Sequence, residues 1–195
     1  MSETPDPEVV ELLNSSSDIL FSFFNETIEN EWPWFEPKVS YGNSRIPHAM
    51  ISAGMYLKND KMIRRGLKLL DWLIGKQFTD GIFSPIGNEG RLTPEGKARF
   101  DQQPLEAHGM IDACLQAEAF TNDGRYADYA LKAFHWFTGE NDCSQPVYDF
   151  ATGGCRDGLH PEGVNLNQGA ESTLSWLISL MNISFYFREK NTLLV

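Results

Sequence analysis

The sequence predicts an all-α protein assembled from helical hairpins, because two features recur along its 195 residues with nearly the same period. Segment 100–107 (FDQQPLEA) is partly repeated at 167–172 (NQGAES), which sets Gln103 and Gln168 65 positions apart. The similar surroundings of Trp72 and Trp136 lie 64 positions apart. A repeat of this length, with two helices and a long loop, indicates helical hairpins. Each Gln-x-x-Glu pair opens an apolar helical stretch, so polar side chains should converge on one mouth.

The first three helices are predicted from apolar residues at helical spacing. Helix one should cover residues 7–30. Helix two should begin at Asn43 or Ser44, either of which can cap free backbone N–H groups, and should run to Lys58. Helix three should be capped by Asp60 and carries apolar residues on one side and Lys and Arg on the other. This pattern is typical of an outer helix with one solvated face.

The last three helices differ in how apolar they are. Helix four, over 104–121, has almost no polar face and should be buried on most sides. Helix five, over 125–139, mixes polar and apolar positions, whereas helix six, over 169–188, is nearly continuous apolar sequence. Inner and outer helices therefore alternate along the chain. This alternation is expected when helical hairpins pack side by side around a shared centre.

The loops follow the same alternation. Connections from an outer to an inner helix are long, at 78–101 and 140–168, whereas connections from an inner to an outer helix are short, at 58–59 and 122–124. Loops longer than about 12–15 residues are usually functional or disordered. The Gly and aromatic content of these two favours ordered loops with small β-hairpins. Both long loops should lie at the same end of the bundle.

Composition restricts the classes of partner. The net charge of −11 and a pI near 4.7 repel phosphate backbones and anionic lipid heads, so neither nucleic acid nor a membrane is an expected partner. No segment approaches the roughly 20 apolar residues that span a bilayer. The polar, acidic first residues do not resemble a secretory signal, so we expect a cytoplasmic protein. The length fits a single domain over 1–195, with residues 1–6 expected to be flexible.

No metal or cofactor is expected. Three cysteines, Cys114, Cys143 and Cys155, form no C-x-x-C pair and are predicted to be free thiols. No two histidines share the tight spacing of metal ligands. The Gly-rich patterns that bind nucleotide phosphates do not occur either, so this chain alone should not transfer sugars from a nucleotide.

Five segments carry a resemblance to a known domain family: 32–36 (WPWFE), 41–49 (YGNSRIPHA), 83–88 (FSPIGN), 100–107 and 165–173 (NLNQGAEST). Over about residues 32–180 the chain resembles an (α/α)-toroid domain that occurs with glycosyltransferases and mannoside-processing enzymes and is related in architecture to six-hairpin glycosidases. The resemblance implies a ring of helical hairpins that binds carbohydrate. A complete ring needs about twice this length. We therefore expect either a partial ring that associates with a second copy or with a glycosyltransferase domain, or a fragment of a longer protein. A half ring would expose large apolar flanks, so we predict a homodimer.

Candidate catalytic groups are carboxylates at inner-helix starts and in the long loops: Glu36, Asp101, Glu106, Asp157 and Glu171. Glycoside hydrolysis needs two such groups, one protonated to assist departure and one ionised to activate water or to attack directly. A Glu in the first turn also stabilises its own helix through the N-terminal N–H groups. Glu106 and Glu171 therefore have a structural explanation beside the catalytic one.

Candidate substrate-binding residues combine aromatic rings with amide and basic side chains: Trp32, Trp34, Tyr41, Asn43, Arg45, His48, Gln102, Gln103, Asn165, Asn167 and Gln168. Rings can pack on the C–H faces of a sugar while amides bind its hydroxyls. The same residues could equally fill and brace the loop layer.

Three functions follow as hypotheses. The first is a carbohydrate-binding domain of a glycan-processing system that also hydrolyses glycans. The second is a non-catalytic accessory or assembly module of a glycosyltransferase system. The third is a sugar epimerase-like isomerase, since Arg45, His48 and His108 could supply a base and a group that orients it.

Overall fold

The computed structural model describes residues 6–24 and 31–192, and the fold is mainly α-helical, as predicted. The described residues contain six helices: α1 (Pro7–Phe24), α2 (Arg45–Leu57), α3 (Asp60–Gln77), α4 (Pro104–Thr121), α5 (Gly124–Thr138) and α6 (Ala170–Thr192). Their strands form three antiparallel pairs: β1 (Phe78–Thr79) with β2 (Ile82–Phe83), β3 (Leu92–Thr93) with β4 (Gly96–Lys97), and β5 (Gly158–His160) with β6 (Gly163–Asn165). All three pairs lie in the long loops, which confirms the predicted small hairpins.

Helix α4 lies at the centre of the core because apolar residues surround its axis. Ile111, Cys114 and Ala117 are fully buried, and the helix packs against α2, α5 and α6. Pro104 opens the first turn, where its fixed φ is favourable and its missing N–H costs nothing. The prediction that this helix is buried on most sides is confirmed.

Helices α3 and α5 each bury one apolar side against a neighbouring inner helix. Helix α3 packs on α2, and α5 packs on α4. The connections between partners are short because Lys58 and Asn122 adopt left-handed conformations, with φ of 54° and 53°, that end α2 and α4. These pairs are the helical hairpins that the spacing of the apolar residues indicates.

The starts of two helices differ from prediction. The side chain of Asn59, not Asp60, caps α3 by accepting a hydrogen bond from the backbone N–H of Met62 at 3.1 Å, and Asp60 occupies the first turn. Ser44 stands at the cap position of α2, but its side chain makes no cap bond there, and its hydroxyl donates to Asn43. The predicted continuation of α1 over 25–30 lies outside the described residues.

The two long loops are joined by a pair of backbone hydrogen bonds. Gln102 and Leu159 exchange backbone hydrogen bonds of 3.0 Å in both directions, which joins the segment before α4 to strand β5. Gly158 makes this approach possible, since a Cβ at that position would lie 2.0 Å from the carbonyl oxygen of Gln102. The start of α4 is thereby linked to the loop that precedes α6.

Helix α6 buries only one of its sides, although its sequence predicts an inner helix. Trp176 and Ile183 face the core together with three serines, whereas several of its largest apolar residues are exposed. Helix α1 likewise exposes Leu12 and Ile19. Across residues 6–24 and 31–192, no helix has the combination of length and apolar character needed to cross a membrane.

Candidate functional site

The N-terminal ends of α4 and α6 border a cleft of about 420 Å³. We call it the rim cleft; its polar and charged lining residues are Asp101, Gln103, Asp157, His160, Asn165, Glu171 and Ser172. A smaller adjoining pocket is lined by Tyr41, Asp101, Gln103 and Glu106 together with residues from the loop after β2. Asp101 and Gln103 line both cavities. The structure therefore brings Asp101, Glu106, Asp157 and Glu171 to one end of the molecule.

Glu106 is a buried carboxyl with both oxygens hydrogen-bonded. Its Oε1 accepts from the backbone N–H of Gly42 at 2.6 Å, and its Oε2 accepts from the side-chain amide of Asn43 at 2.8 Å. Burial raises the pKa of Glu106 to about 7, against the opposing effect of the backbone N–H groups of Gly42 and Asn43 and of the Arg45 charge. A carboxyl with this pKa exchanges a proton near neutral pH.

Asn43 belongs to a chain of buried amides that supports Glu106. The Asn43 Oδ1 accepts from the side-chain amide of Gln77 at 2.9 Å, and Oε1 of Gln77 accepts from the backbone N–H of Ile86 at 3.2 Å. Asn43 is only 2% exposed. Its predicted role in substrate binding would require a ligand to displace these contacts.

Tyr41 connects the second carboxyl to the same segment. Its hydroxyl donates to Oε2 of Glu171 at 3.1 Å, and the adjacent residue, Gly42, is the one that binds Glu106. Burial, followed by the hydrogen bond and charge of Glu171, raises the pKa of Tyr41 above its ordinary value. Glu106, in the first turn of α4, therefore binds Gly42, and Glu171, in the first turn of α6, binds the neighbouring Tyr41.

Asp101 lies between the two cavities. One of its oxygens is 3.6 Å from Nδ1 of His160, and the other accepts from the Gln103 amide at 3.4 Å. About a third of the Asp101 side chain is exposed, so a ligand can reach it. His160 was not among the predicted site residues, because a single histidine in a long loop has no spacing pattern that marks it.

Asp157 stabilises the start of α6. It accepts hydrogen bonds from the backbone N–H of Gly169 at 2.7 Å, from the Ser172 hydroxyl at 2.6 Å and from the side-chain amide of Asn167. Burial works against ionisation, but these donors outweigh it and lower the pKa of Asp157. The group is thus occupied as a helix-capping carboxylate.

Two other amides predicted to bind substrate also serve the loop that precedes α6. Asn165 accepts from the backbone N–H of Asn167 at 3.0 Å. Gln168 donates to Asp149 at 2.9 Å and accepts from the Thr152 hydroxyl at 2.9 Å. Of Asn165, Asn167 and Gln168, Asn165 is the one that lines the rim cleft. The amide side chains of segment 165–168 are therefore largely engaged in bracing the loop that precedes α6.

Gln102 faces away from the rim cleft and is fully buried. Its Oε1 accepts from the indole N–H of Trp136 at 2.8 Å, and its amide donates to Asp142 at 2.6 Å. Successive residues in an extended segment point to opposite sides, so Gln103 faces the cleft and Gln102 the core. Contact with substrate, as predicted for Gln102, would require opening the core.

Trp32 and Trp34 belong to a separate aromatic cluster, and Glu36 lies beside it. Trp32 and Trp34 both pack against Trp72 of α3, with ring centroids 5.3 and 6.5 Å away. The Trp32 indole donates to the backbone carbonyl of Glu36 at 2.8 Å, and Trp34 is only 3% exposed. Neither ring nor Glu36 lines the rim cleft. This cluster fills the space over α3, as expected if loop aromatics serve packing.

Arg45 and His48 lie on α2 beside a different groove. Arg45 donates to Asp112 at 2.6 Å and to Nδ1 of His108 at 2.9 Å, and Nε2 of His108 lies 3.1 Å from the same Asp112 oxygen. Asn182 of α6 donates to the second Asp112 oxygen at 2.7 Å. We call Arg45, His108, Asp112 and Asn182 the Arg45 cluster.

The groove beside the Arg45 cluster measures about 370 Å³ and is lined by residues of α2, α4 and α6, including His48. Burial lowers the pKa of His48, and the charges of Arg45 and His108 act in the same direction against that of Asp112. Sequence reasoning missed Asp112. The available signal is the i, i+4 spacing of His108 and Asp112, which in a surface helix would be an ordinary ion pair.

A third opening is chemically different. A groove of about 430 Å³ between α1 and α2 is lined mainly by Leu, Ala and Ser side chains, with Tyr56 at one end. It lacks the convergent polar groups of the rim cleft. Within the described residues, no three His, Cys, Asp or Glu side chains are arranged to hold a metal ion. Cys114, Cys143 and Cys155 are free thiols, as predicted.

Compared with models of protein families, the sequence matches none, and a search of curated proteins returns no match. The structure itself defines the class of protein: it is mainly α-helical, with a polar cleft at the N-terminal ends of α4 and α6.

Proposed function

We propose that this protein is an (α/α)-toroid-type domain that binds a carbohydrate in the rim cleft. The observation that carries the proposal is the pairing of two carboxyls through one dipeptide. Glu106 is buried with a pKa of about 7, and the exposed Glu171 is joined to the same segment through Tyr41. Glu171 lines the rim cleft and Glu106 lines the adjoining pocket. Two carboxyls in such different surroundings and so close to each other are typical of sites that act on sugars.

The lining of the cleft suits a polyhydroxylated ligand. Its volume of about 420 Å³ falls within the range of small-molecule sites, roughly 300–1,000 Å³. Asp101, Gln103 and Asn165 offer carboxylate and amide groups to hydroxyls. Tyr41 is 53% exposed, so its ring can pack on the C–H face of a sugar.

Glycan hydrolysis is the reaction that the carboxyls support. Glu106 would act as general acid, because a pKa near 7 keeps its proton available at neutral pH. Asp101 or Glu171 would act as general base or nucleophile on the opposite side of the bond. The resemblance to domains that accompany mannoside-processing enzymes makes mannose-containing oligosaccharides the first substrates to test.

The non-catalytic accessory role remains the second candidate, and a specific observation favours it. Both oxygens of Glu106 are already engaged by Gly42 and Asn43, and Asp157 is engaged by three donors at the start of α6. Carboxylates used in this way hold loops in place. Under this alternative the domain binds glycan, or only a partner domain, without turnover.

Binding on an array of mannose- and glucose-containing oligosaccharides tests the proposal. We expect the wild-type protein to bind at least one class, and Asp101→Asn and Glu171→Gln to weaken that binding at least tenfold. The matched control is Glu36→Gln, an exposed carboxylate outside the cleft, which should leave binding unchanged. Thermal unfolding of each variant verifies that it is folded. Unchanged binding by both folded cleft variants would contradict the proposal.

Release of reducing sugar from any oligosaccharide that binds separates the two candidates. Loss of a general acid slows hydrolysis by about 10²–10⁴-fold, so Glu106→Gln should lower turnover far more than binding. Binding without measurable release from the wild-type protein would leave the accessory role. Equal loss of activity and of folded protein in Glu106→Gln would mark Glu106 as a structural residue.

A further inference from the structure

Helix α6 directs its large apolar residues away from the core. Its buried side contains three serines, Ser172, Ser175 and Ser179, beside Trp176 and Ile183. Its outer side carries a row that we call the α6 seam: Leu174, Ile178, Met181 and Phe185, which are 56%, 38%, 53% and 54% exposed. The row is flanked by the exposed Leu177. A helix that buries serine and exposes leucine and phenylalanine is arranged to contact a second surface.

The spacing of the seam specifies what kind of surface fits it. Its residues follow one another at steps of four, three and four, which is the heptad pattern of helices that pair lengthwise. The seam occupies the middle of this 23-residue helix and extends over about three turns. A small ligand would cover only part of such a row. Another helix of similar length would cover all of it.

The α6 seam is complementary to a second copy of itself that runs in the opposite direction. One heptad step before Leu174 stands Glu171, and one step after Phe185 stands Arg188. When two copies of α6 run antiparallel, Ile178 meets Met181, and Leu174 meets Phe185. The same register sets Glu171 opposite Arg188 at both ends. Every position of the row thus faces an apolar or oppositely charged partner.

We propose that a second copy of this chain covers the α6 seam, with the two α6 helices antiparallel across a twofold axis. A twofold contact is isologous, so each favourable pair forms twice. The parallel arrangement would set Glu171 against Glu171 and Arg188 against Arg188, and like charges at such positions are unfavourable. Charge therefore selects the antiparallel register, and burial of the apolar row provides the main stabilisation.

This pairing also reaches the rim cleft. Glu171 lines the cleft and lies at one end of the seam, so Arg188 of the partner subunit would approach the edge of the cleft. Each cleft would then be bordered by both copies. The dimer does not depend on the nature of the ligand, and its test is independent of the glycan assays.

Sedimentation equilibrium over a concentration series measures the association. We expect a dimer at tens of micromolar, and Met181→Glu should weaken it at least a hundredfold, because it places two like charges inside the apolar row. The matched control is Leu12→Glu on α1, which replaces another exposed apolar side chain (68% exposed) and should leave the dissociation constant unchanged. A wild-type monomer at these concentrations, or dissociation caused by Leu12→Glu and not by Met181→Glu, would overturn the proposal.

Cysteine pairing tests the register. In the antiparallel dimer, residues 174 and 185 of different copies lie opposite each other, whereas the two copies of residue 174 are about 16 Å apart along the axis, beyond the reach of a disulfide. Mild oxidation of mixed Leu174→Cys and Phe185→Cys proteins should therefore link one of each. Leu174→Cys alone should give no more than the wild-type background from Cys143. Efficient linkage of Leu174→Cys to itself would overturn the antiparallel register.

Discussion

The side-chain amide of Asn43 donates a hydrogen bond of 2.8 Å to Oε2 of Glu106 and thereby joins the residue before the cap of α2 to the first turn of α4. The oxygen of the same amide accepts from Gln77 at the end of α3. One buried side chain thus connects three helices at the end of the molecule that carries the rim cleft. The position of the Glu106 carboxyl depends on these polar contacts as well as on helix packing.

Replacing Asn43 with alanine should lower the free energy of unfolding by about 2 kcal/mol, because Glu106 and Gln77 each lose a buried hydrogen-bond partner. Urea unfolding at neutral pH measures the change. Asn88 provides the control, since it is an exposed asparagine and its replacement by alanine should change stability by less than about 0.5 kcal/mol. Equal effects of the two substitutions would show that the amide chain does not stabilise the fold.

Glu106 should make stability fall as the pH rises toward neutrality. Burial raises its pKa from 4.5 to about 7, so the native state keeps a proton that the unfolded chain has already lost. Stability is therefore highest below about pH 4.5 for this group and decreases as the pH passes through about 7, by a total of about 3 kcal/mol. Urea unfolding from pH 5 to pH 8 gives the slope.

Glu106→Gln is the control for this slope, because its amide does not titrate. The difference in unfolding free energy between wild type and variant should change across the window from pH 5 to pH 7 and become constant above it. A wild-type slope that the variant reproduces would assign the titration to another group.

The helices could be predicted from sequence more reliably than the site. Helix α4 has the predicted bounds because Pro104, Glu106 and a continuous apolar run all mark the same segment. The convergence of Glu106 and Glu171 at one end followed from the repeat, since equivalent positions in repeated hairpins share an end of the bundle. Burial within the loops could not be predicted. Whether Trp34 lies on a surface or beneath one depends on Trp72, which contacts it from a distant helix.

The distinction between Gln102 and Gln103 shows the same limit. The two residues are identical and adjacent, yet one contacts Trp136 in the core and the other lines the cleft. The direction is set by the backbone pairing of Gln102 with Leu159, a partner 57 positions away. Similarly, the outward direction of the α6 seam depends on which side of α6 meets α4. Neither long-range contact leaves a local pattern in the sequence.

Asp112 should contribute to stability through the Arg45 cluster. Burial opposes its ionisation, but the hydrogen bonds and charges of His108 and Arg45 outweigh it and lower the pKa of Asp112 to about 2. Asp112→Asn should cost about 1–3 kcal/mol at pH 7, since Arg45 loses a charged partner whose side chain is only 12% exposed. This contribution is present above about pH 4 and disappears as the pH falls through about 2.

The control for Asp112 is another i, i+4 aspartate. Asp60 lies 4.0 Å from Arg64 with both side chains largely exposed, and such pairs contribute little. Asp60→Asn should therefore change the unfolding free energy by less than about 0.5 kcal/mol. Chemical unfolding of both variants at pH 7 makes the comparison. If Asp112→Asn costs as little stability as Asp60→Asn, the Arg45 cluster does not stabilise the fold.

Substitution of Gln102 should mainly reduce stability, whereas substitution of Gln103 should mainly reduce glycan binding. Gln102→Met leaves the buried Trp136 N–H and Asp142 without an amide partner, so it should lower the free energy of unfolding by about 2 kcal/mol. Gln103→Met lies in the cleft and should leave stability within about 0.5 kcal/mol of wild type. Glycan binding should show the reverse order. If both variants lose stability equally, the assignment of Gln103 to the cleft is wrong.

Gly158 should be among the glycines of the long loops that are hardest to replace. Its φ of +143° disfavours any side chain, and an added Cβ would lie 2.0 Å from the carbonyl oxygen of Gln102. Gly158→Ala must therefore separate β5 from the segment before α4 and should cost more than about 3 kcal/mol, because two backbone hydrogen bonds and the packing behind them are disturbed. Thermal and urea unfolding measure the loss.

Gly153 supplies the matched control, because its φ of +76° is also unfavourable for alanine but nothing lies within 4 Å of its added Cβ. Gly153→Ala should cost only the conformational strain of about 1 kcal/mol. The difference between the two variants isolates the close approach of the long loops from backbone strain. If Gly153→Ala is as damaging as Gly158→Ala, strain alone explains both, and the contact between β5 and Gln102 does not control the position of the cleft.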